Sequence, residues 1–265
     1  MNGFQGLFSF GKRFIRPANT VREQFLQVQV DQKYSKMTKL PTGIPGLDRE
    51  LSGGIESGSL LSVIAGPATQ SEALFHQMIE RRPTLYLTTL RESTAVKQRL
   101  NGLDGELFVK DVLGKQTMNK QFMKEITGTR GYSMPIKNAD EILDSVYETI
   151  EQVDREMNVI LDPVNPLEET ENKDAYREVI NKFKSKVLET GSLGILHCIT
   201  LGDATPLRDV TLAISDVVIE LDLVSMTNEM QYQLTIPKNR GGTPLLGETT
   251  VKFDSEVWID DTRNI

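Results

Sequence analysis

The chain has 265 residues, 38% of them hydrophobic and 25% charged, with a net charge of −7. That length suits one α/β domain with an extension or two small domains, and no apolar run of about 18 residues is present to form a membrane-spanning helix. A single cysteine, Cys198, and two histidines, His76 and His197, exclude an internal disulfide, a cysteine-based metal cluster and a histidine-rich metal site.

The first 36 residues differ from the rest. Six basic residues (Lys12, Arg13, Arg16, Arg22, Lys33, Lys36) face only Glu23 and Asp31, a net of +4, so the remaining 229 residues carry −11. Phe4, Leu7, Phe8, Phe10, Phe14 and Ile15 are interleaved with the basic residues. Three readings stand open: an amphipathic segment for a membrane surface or a partner, a tail without a specific role, or sequence ahead of a true start at Met37. No long apolar core and no small-residue cleavage site mark a secretory signal. The acidic remainder disfavours nonspecific binding to nucleic-acid phosphates and suits a salt-rich cytosol. A cytoplasmic location is the simplest expectation.

From Met37 onward, strand and helix patterns alternate. Strands are predicted at Leu60–Ala65, Thr84–Thr88, Asn158–Asp162, Gly194–Ile199 and Asp216–Leu221, with helices at about Glu72–Arg81, Ser93–Asn101, Ala139–Glu156 and Lys173–Thr190. Near-continuous apolar strands separated by amphipathic helices indicate a mostly parallel sheet covered on both faces. After Leu221 shorter alternating strands (Gln231–Pro237, Thr249–Phe253, Val257–Asp260) read as hairpins extending the sheet edge. Residues 102–138 read as a loop-dominated connection. Cys198 falls in the apolar run Leu193 to Thr200 and reads as a buried structural thiol.

The strand ending at Ala65 runs into Gly66, Pro67, Ala68, Thr69, Gln70, Ser71, Glu72 and Ala73, then into a helical pattern. A phosphate-binding loop at that point has the form G-x-x-x-x-G-K-[ST]. Here Ser71 replaces the second glycine, Glu72 the lysine and Ala73 the metal-ligating hydroxyl residue. Glu72 places a negative charge where the outer phosphates would sit. Two unit charges ~4 Å apart at an effective dielectric of ~20 interact by roughly 4 kcal/mol, here repulsively.

The surrounding sequence, Thr42-Gly43-x-x-x-Leu47-Asp48 followed by Gly53, Gly54 and Gly58 ahead of the strand, resembles the RecA superfamily, most closely its KaiC-like and RadA-like branch. The likeness extends over most of residues 37–260 and implies a RecA-like P-loop NTPase fold for a single domain, 37–265. It puts Asp162 at the Walker B position beside Mg²⁺, although a strand-terminal Asp also serves as a turn former or helix cap. It also aligns Arg91 and Glu92 with the family's acidic pair, and an always-protonated arginine cannot act as a base. Lys238, Arg240 and Gly241 match a basic stretch that reaches a neighbouring subunit's nucleotide in ring-forming relatives. A solvated hairpin turn is the other reading of these residues.

The expectation is therefore a non-catalytic RecA/KaiC-like protein with a degenerate nucleotide loop, acting as a regulatory or interaction partner. No catalytic residue, metal or cofactor is expected, and ATP with Mg²⁺ is disfavoured. The partner would be a protein, an active paralogue or a second copy. Two alternatives remain: an ATPase using Lys238, Arg240 or Arg91 in place of the missing lysine, and a DNA-binding accessory protein using the basic patches Lys12–Arg16 and Lys115–Lys124.

Overall fold

The structure is a computed structural model that describes residues 38–112, 139–200, 202, 205–225, 230–253 and 257–260. The 1–36 extension, most of the 102–138 connection and both basic patches, Lys12–Arg16 and Lys115–Lys124, lie outside the described residues.

Strand β1 (Lys39–Leu40) pairs antiparallel with β2 (Ile55–Glu56), and helix α1 (Pro45–Glu50) lies between them. There follow β3 (Leu60–Ala65), α2 (Glu72–Ile79), β4 (Thr84–Thr88), α3 (Ser93–Arg99) and β5 (Leu107–Asp111). Beyond residue 138 come α4 (Ala139–Glu151), β6 (Asn158–Asp162), α5 (Asn165–Glu168), α6 (Lys173–Thr190), β7 (Leu193–Ile199) and α7 (Arg208–Ile214). The chain then runs through β8 (Val217–Ser225), β9 (Met230–Asn239), β10 (Leu245–Phe253) and β11 (Val257–Asp260).

Nine of these strands form one sheet in the order β11-β10-β9-β8-β3-β7-β6-β4-β5. The stretch from β8 to β5 is parallel, and β9, β10 and β11 extend it antiparallel. The expected parallel sheet with C-terminal hairpins is therefore present. One expectation is corrected. Strand β5 falls inside the stretch read as loop, because its single buried residue, Val109, leaves too weak an apolar pattern for a strand signal. The segment TGIPGLD leads into α1, which is started by Pro45 at its first turn.

The period-2 alternation of the strands divides the core between two faces. Leu61, Val63 and Ala65 pack with Leu74, Phe75 and Met78 of α2 and with Leu47 of α1. Leu60, Leu161, Leu196 and Cys198 pack on the opposite side with α4 and α6. In α6 the buried residues Tyr176, Val179, Ile180, Phe183 and Val187 recur at helical spacing. Asn172 caps the N-terminus by accepting from the Ala175 N–H at 3.1 Å, and Gly191 ends the helix in the left-handed region at φ 69°. Cys198 is fully buried, and burial pushes its thiol up to about 12, as suits an inert structural residue.

The residues that frame the loop are structural staples. Asp48 Oδ1 accepts from the Thr42 N–H at 2.6 Å and the Thr42 hydroxyl at 2.8 Å, which ties the segment before α1 to the helix. Gly43, at φ 89°, approaches α2 so closely that a Cβ would lie 2.7 Å from the Gln77 carbonyl oxygen.

On the far face, Glu168 is fully buried and receives Arg208 Nε on both oxygens, at 3.0 and 2.9 Å, with the hydroxyls of Thr205 and Thr211 completing its shell. This cluster joins α5 to α7. Breaking a buried pair on one side leaves an uncompensated charge and costs about 3–5 kcal/mol. The Arg208→Met variant is expected to lose about that much in urea unfolding, and adding Glu168→Gln should recover part of it.

Candidate functional site

The parallel register brings the site together. Leu161 of β6 pairs with Leu196 of β7 and Thr88 of β4 pairs with Asp162, so Asp162, His197 and the end of β4 meet at the C-terminal edge of the sheet. Ligands of open α/β sheets bind at such an edge. From β3 the chain reaches the same place through Gly66 to Ser71.

That loop closes on itself. The Thr69 N–H and hydroxyl both donate to the Gly66 carbonyl oxygen, at 3.1 and 2.7 Å. Pro67, Ala68 and Gln70 are exposed and Thr69 is buried. Gln70 sits at φ 54°, an uncommon conformation for a residue with a side chain. Helix α2 then begins at Glu72, with Ser71 at its N-cap and Ala73 half-buried in its first turn.

At the centre is the Asp162 carboxylate, whose side chain is 2% exposed. Its Oδ1 receives His197 Nδ1 at 2.6 Å, while Oδ2 receives the Tyr86 hydroxyl and Arg91 Nη2, the latter at 2.5 Å. Burial alone would raise this carboxyl. The hydrogen bond from His197, with the hydrogen bond from Tyr86 and the charge of Arg91, outweighs it and holds the group below the usual carboxylate range. Burial and then the Asp162 charge push the Tyr86 phenol well above its ordinary value, so it stays a donor.

Arg91 joins two carboxylates. Its Nη1 lies 2.9 Å from Glu72 Oε1 while Nη2 holds Asp162, and Arg99 Nη1 reaches the other Glu72 oxygen at 3.2 Å. Burial opposes the charge on Arg91, but the surrounding anions, Asp162 first, raise its pKa. Beside it, a cavity of about 10 Å³ between α2 and α3 is lined by Phe75, His76, Val96 and Leu100. That is room for roughly one water. His76 Nε2 is buried without a hydrogen-bond partner among the described residues, and burial lowers the pKa of its ring.

His197 links the carboxylate to the loop. Its Nε2 lies 2.9 Å from Ser71 Oγ, and the ring meets Phe75 edge-on at a centroid distance of 5.0 Å.

Of the residues singled out in the sequence, the fold gathers Ser71, Glu72, Arg91 and Asp162. Tyr86, Arg99 and His197 complete the cluster, and the sequence offered no motif for them; Tyr86 and His197 are placed by strand register, and Arg99 by the last turn of α3. Lys238 and Arg240 lie elsewhere and are engaged within their own chain. Lys238 Nζ donates to the Leu212 and Ala213 carbonyls at 2.6 and 3.0 Å, and Arg240 Nη2 donates to Ala213 at 3.1 Å. Both thereby cap the C-terminal end of α7, where cations are favoured. Arg240 Nη1 also reaches Asp216 Oδ1 at 3.3 Å.

Removing the guanidinium takes the arginine from the buried Asp162 and leaves Glu72 with Arg99 alone. Because Arg91 is 30% exposed, the Arg91→Met variant is expected to lose about 2 kcal/mol, below the range for a fully buried pair. Asp162 is depressed in the native state, so its contribution is present above the unfolded carboxyl pKa of about 3.9 and is lost as pH falls through the native value. The stability difference between variant and wild type should therefore shrink as unfolding is followed from about pH 7 to about pH 3.

Comparison with known proteins places the chain. Residues 39–265 match a family of unknown function (DUF7125), and the chain belongs to it. No curated protein matches the sequence. Among solved structures, the crystal structure of a KaiC-like protein from the hyperthermophilic archaeon Pyrococcus horikoshii OT3 superposes with a TM-score of 0.62 at 18% identity. The match covers 84% of this chain and 99% of that one. At that identity the likeness concerns the fold, which is RecA/KaiC-like. Among the described residues, no helix is long and apolar enough to cross a membrane.

Proposed function

We propose that this member of the DUF7125 family is a RecA/KaiC-like protein that does not hydrolyse ATP and acts as a regulatory or interaction partner in the cytoplasm. The observation that carries the reading is Arg91, whose guanidinium bridges Glu72 and Asp162 at 2.9 and 2.5 Å. In a working P-loop site a lysine and a metal ion supply the positive charge beside the phosphates and the Walker B carboxylate. In this chain one internal cation stands on both acidic positions.

The residues do not fit Mg-ATP. Position 72 is an anion, position 73 has no hydroxyl, and Asp162 has hydrogen-bond donors on both oxygens. The Thr69 N–H donates back to Gly66 instead of pointing at a ligand. An ATPase using Arg91 as a substitute lysine would have to break its two ion pairs, each to a carboxylate at hydrogen-bonding distance. The Lys238 and Arg240 side chains are likewise committed to α7. A role for Arg240 in a neighbouring subunit's site would compete with those internal contacts.

Function on such a scaffold is carried by its surfaces, toward a protein partner, an active paralogue or a second copy. Calorimetric titration with Mg-ATP is expected to show no binding at micromolar concentrations and no phosphate release. Micromolar affinity together with turnover would overturn the reading.

A further inference from the structure

Ser71, His197 and Asp162 form a continuous chain of hydrogen bonds, 2.9 Å from Ser71 Oγ to His197 Nε2 and 2.6 Å from His197 Nδ1 to Asp162 Oδ1. The direction of the protons follows from the acid end. An ionised carboxylate only accepts, so Nδ1 carries the ring proton. In the neutral ring Nε2 is then an acceptor, and the Ser71 hydroxyl donates to it. This is the arrangement in which a serine becomes a nucleophile, with an imidazole as base and a carboxylate that orients it.

Several features around the three residues fit that use. The two oxygens of Asp162 have separate partners: Oδ1 serves His197, while Tyr86 and Arg91 occupy Oδ2. The carboxylate is thus kept ionised and fixed without competing for the imidazole. Phe75 holds the ring edge-on, and both ring nitrogens are engaged, so the orientation is determined. Ser71 stands at a strand-to-helix turn, directly after Gln70 with its left-handed φ of 54°. Strained backbone of this kind clusters at functional sites. Helix α2 begins immediately after the serine, and the positive end of a helix favours an anion formed there. Ser71 itself is 6% exposed, within a loop whose Pro67, Ala68 and Gln70 face solvent.

We propose that Ser71 is the nucleophile of a second chemistry on this fold, the hydrolysis of uncharged carboxylic esters, with His197 as general base and Asp162 as the positioning residue. An uncharged substrate is specified because Arg91 and Arg99 are both paired with carboxylates and, among the described residues, leave no uncommitted cation in the cluster for an anionic group. Ser71 Oγ bonds to the ester carbonyl carbon as its proton passes to His197 Nε2. The carbon–oxygen bond to the leaving group breaks, and that oxygen takes the proton from Nε2, leaving acyl-Ser71. Water then attacks the acyl carbon, giving a proton to Nε2. The acid departs as Ser71 Oγ recovers that proton. The assignment is independent of whether the protein binds ATP, which the calorimetry reads separately.

The test is reaction of the purified full chain with a fluorophosphonate probe, in which serine oxygen displaces fluoride from phosphorus, followed by peptide mass spectrometry. Wild type should carry the adduct on Ser71, with p-nitrophenyl acetate hydrolysis lost in parallel. Ser71→Ala should abolish labelling, and His197→Gln should slow it at least ~100-fold, the smallest effect usual for a general base. Asp162→Asn should slow it as well by removing the carboxylate that fixes the tautomer of the ring and stabilises its protonated form. A wild-type chain that stays unlabelled at Ser71, however the variants fold, overturns the assignment. So does a folded His197→Gln protein that reacts at the wild-type rate.

Discussion

Burying a carboxylate to 2% exposure at the end of a parallel strand requires compensation from several directions, and Asp162 obtains it from three different elements. His197 comes from β7, Tyr86 from β4, and Arg91 from the segment after β4. His197 and Tyr86 reach the carboxylate only if their strands are in register, so the charge and the sheet order specify one another. Arg91 then carries the constraint to Glu72 and fixes the start of α2 against the end of β4.

The same compensation determines what the edge of the sheet can do. In a phosphate-binding site the acidic positions wait for a cation that arrives with the nucleotide. Here the cation is part of the chain. The cluster of Glu72, Asp162, Arg91 and Arg99 balances its formal charge internally, so its electrostatics are complete without a ligand. The outer pair to Arg99 contributes little, since that arginine is 64% exposed. The inner pair to Asp162 is shielded from water and dominates. Satisfying Oδ2 in this way leaves Oδ1 to hold His197 against Ser71, so one residue links the Arg91 bridge to the hydrogen bond on Ser71.

Parts of this were legible in the sequence for clear reasons. The strands Leu60–Ala65, Thr84–Thr88 and Asn158–Asp162 are short apolar runs between turn signals, and the structure has them with those bounds. The glycine framing marked the loop, since positions such as Gly43, where a Cβ would meet the Gln77 carbonyl, have no alternative residue. Strand β5 was missed because a sheet-edge strand need not be apolar, and Phe108 on it is 45% exposed. The contacts of Arg240 at the end of α7 were not legible, because nothing in its local sequence reports those carbonyls.

The sequence by itself determined the alternation that builds a RecA-like sheet and the three residues, Ser71, Glu72 and Ala73, that differ from the G-K-[ST] pattern at that position. These are local properties, set by periodicity and by the atoms each side chain carries. Only the tertiary structure decided that Arg91 stands between Glu72 and Asp162, and that His197 joins Asp162 to Ser71. The contacts span 19, 71, 35 and 126 positions along the chain. Such distances are closed by strand order and register, which place residues of unrelated sequence position side by side at one edge of the sheet.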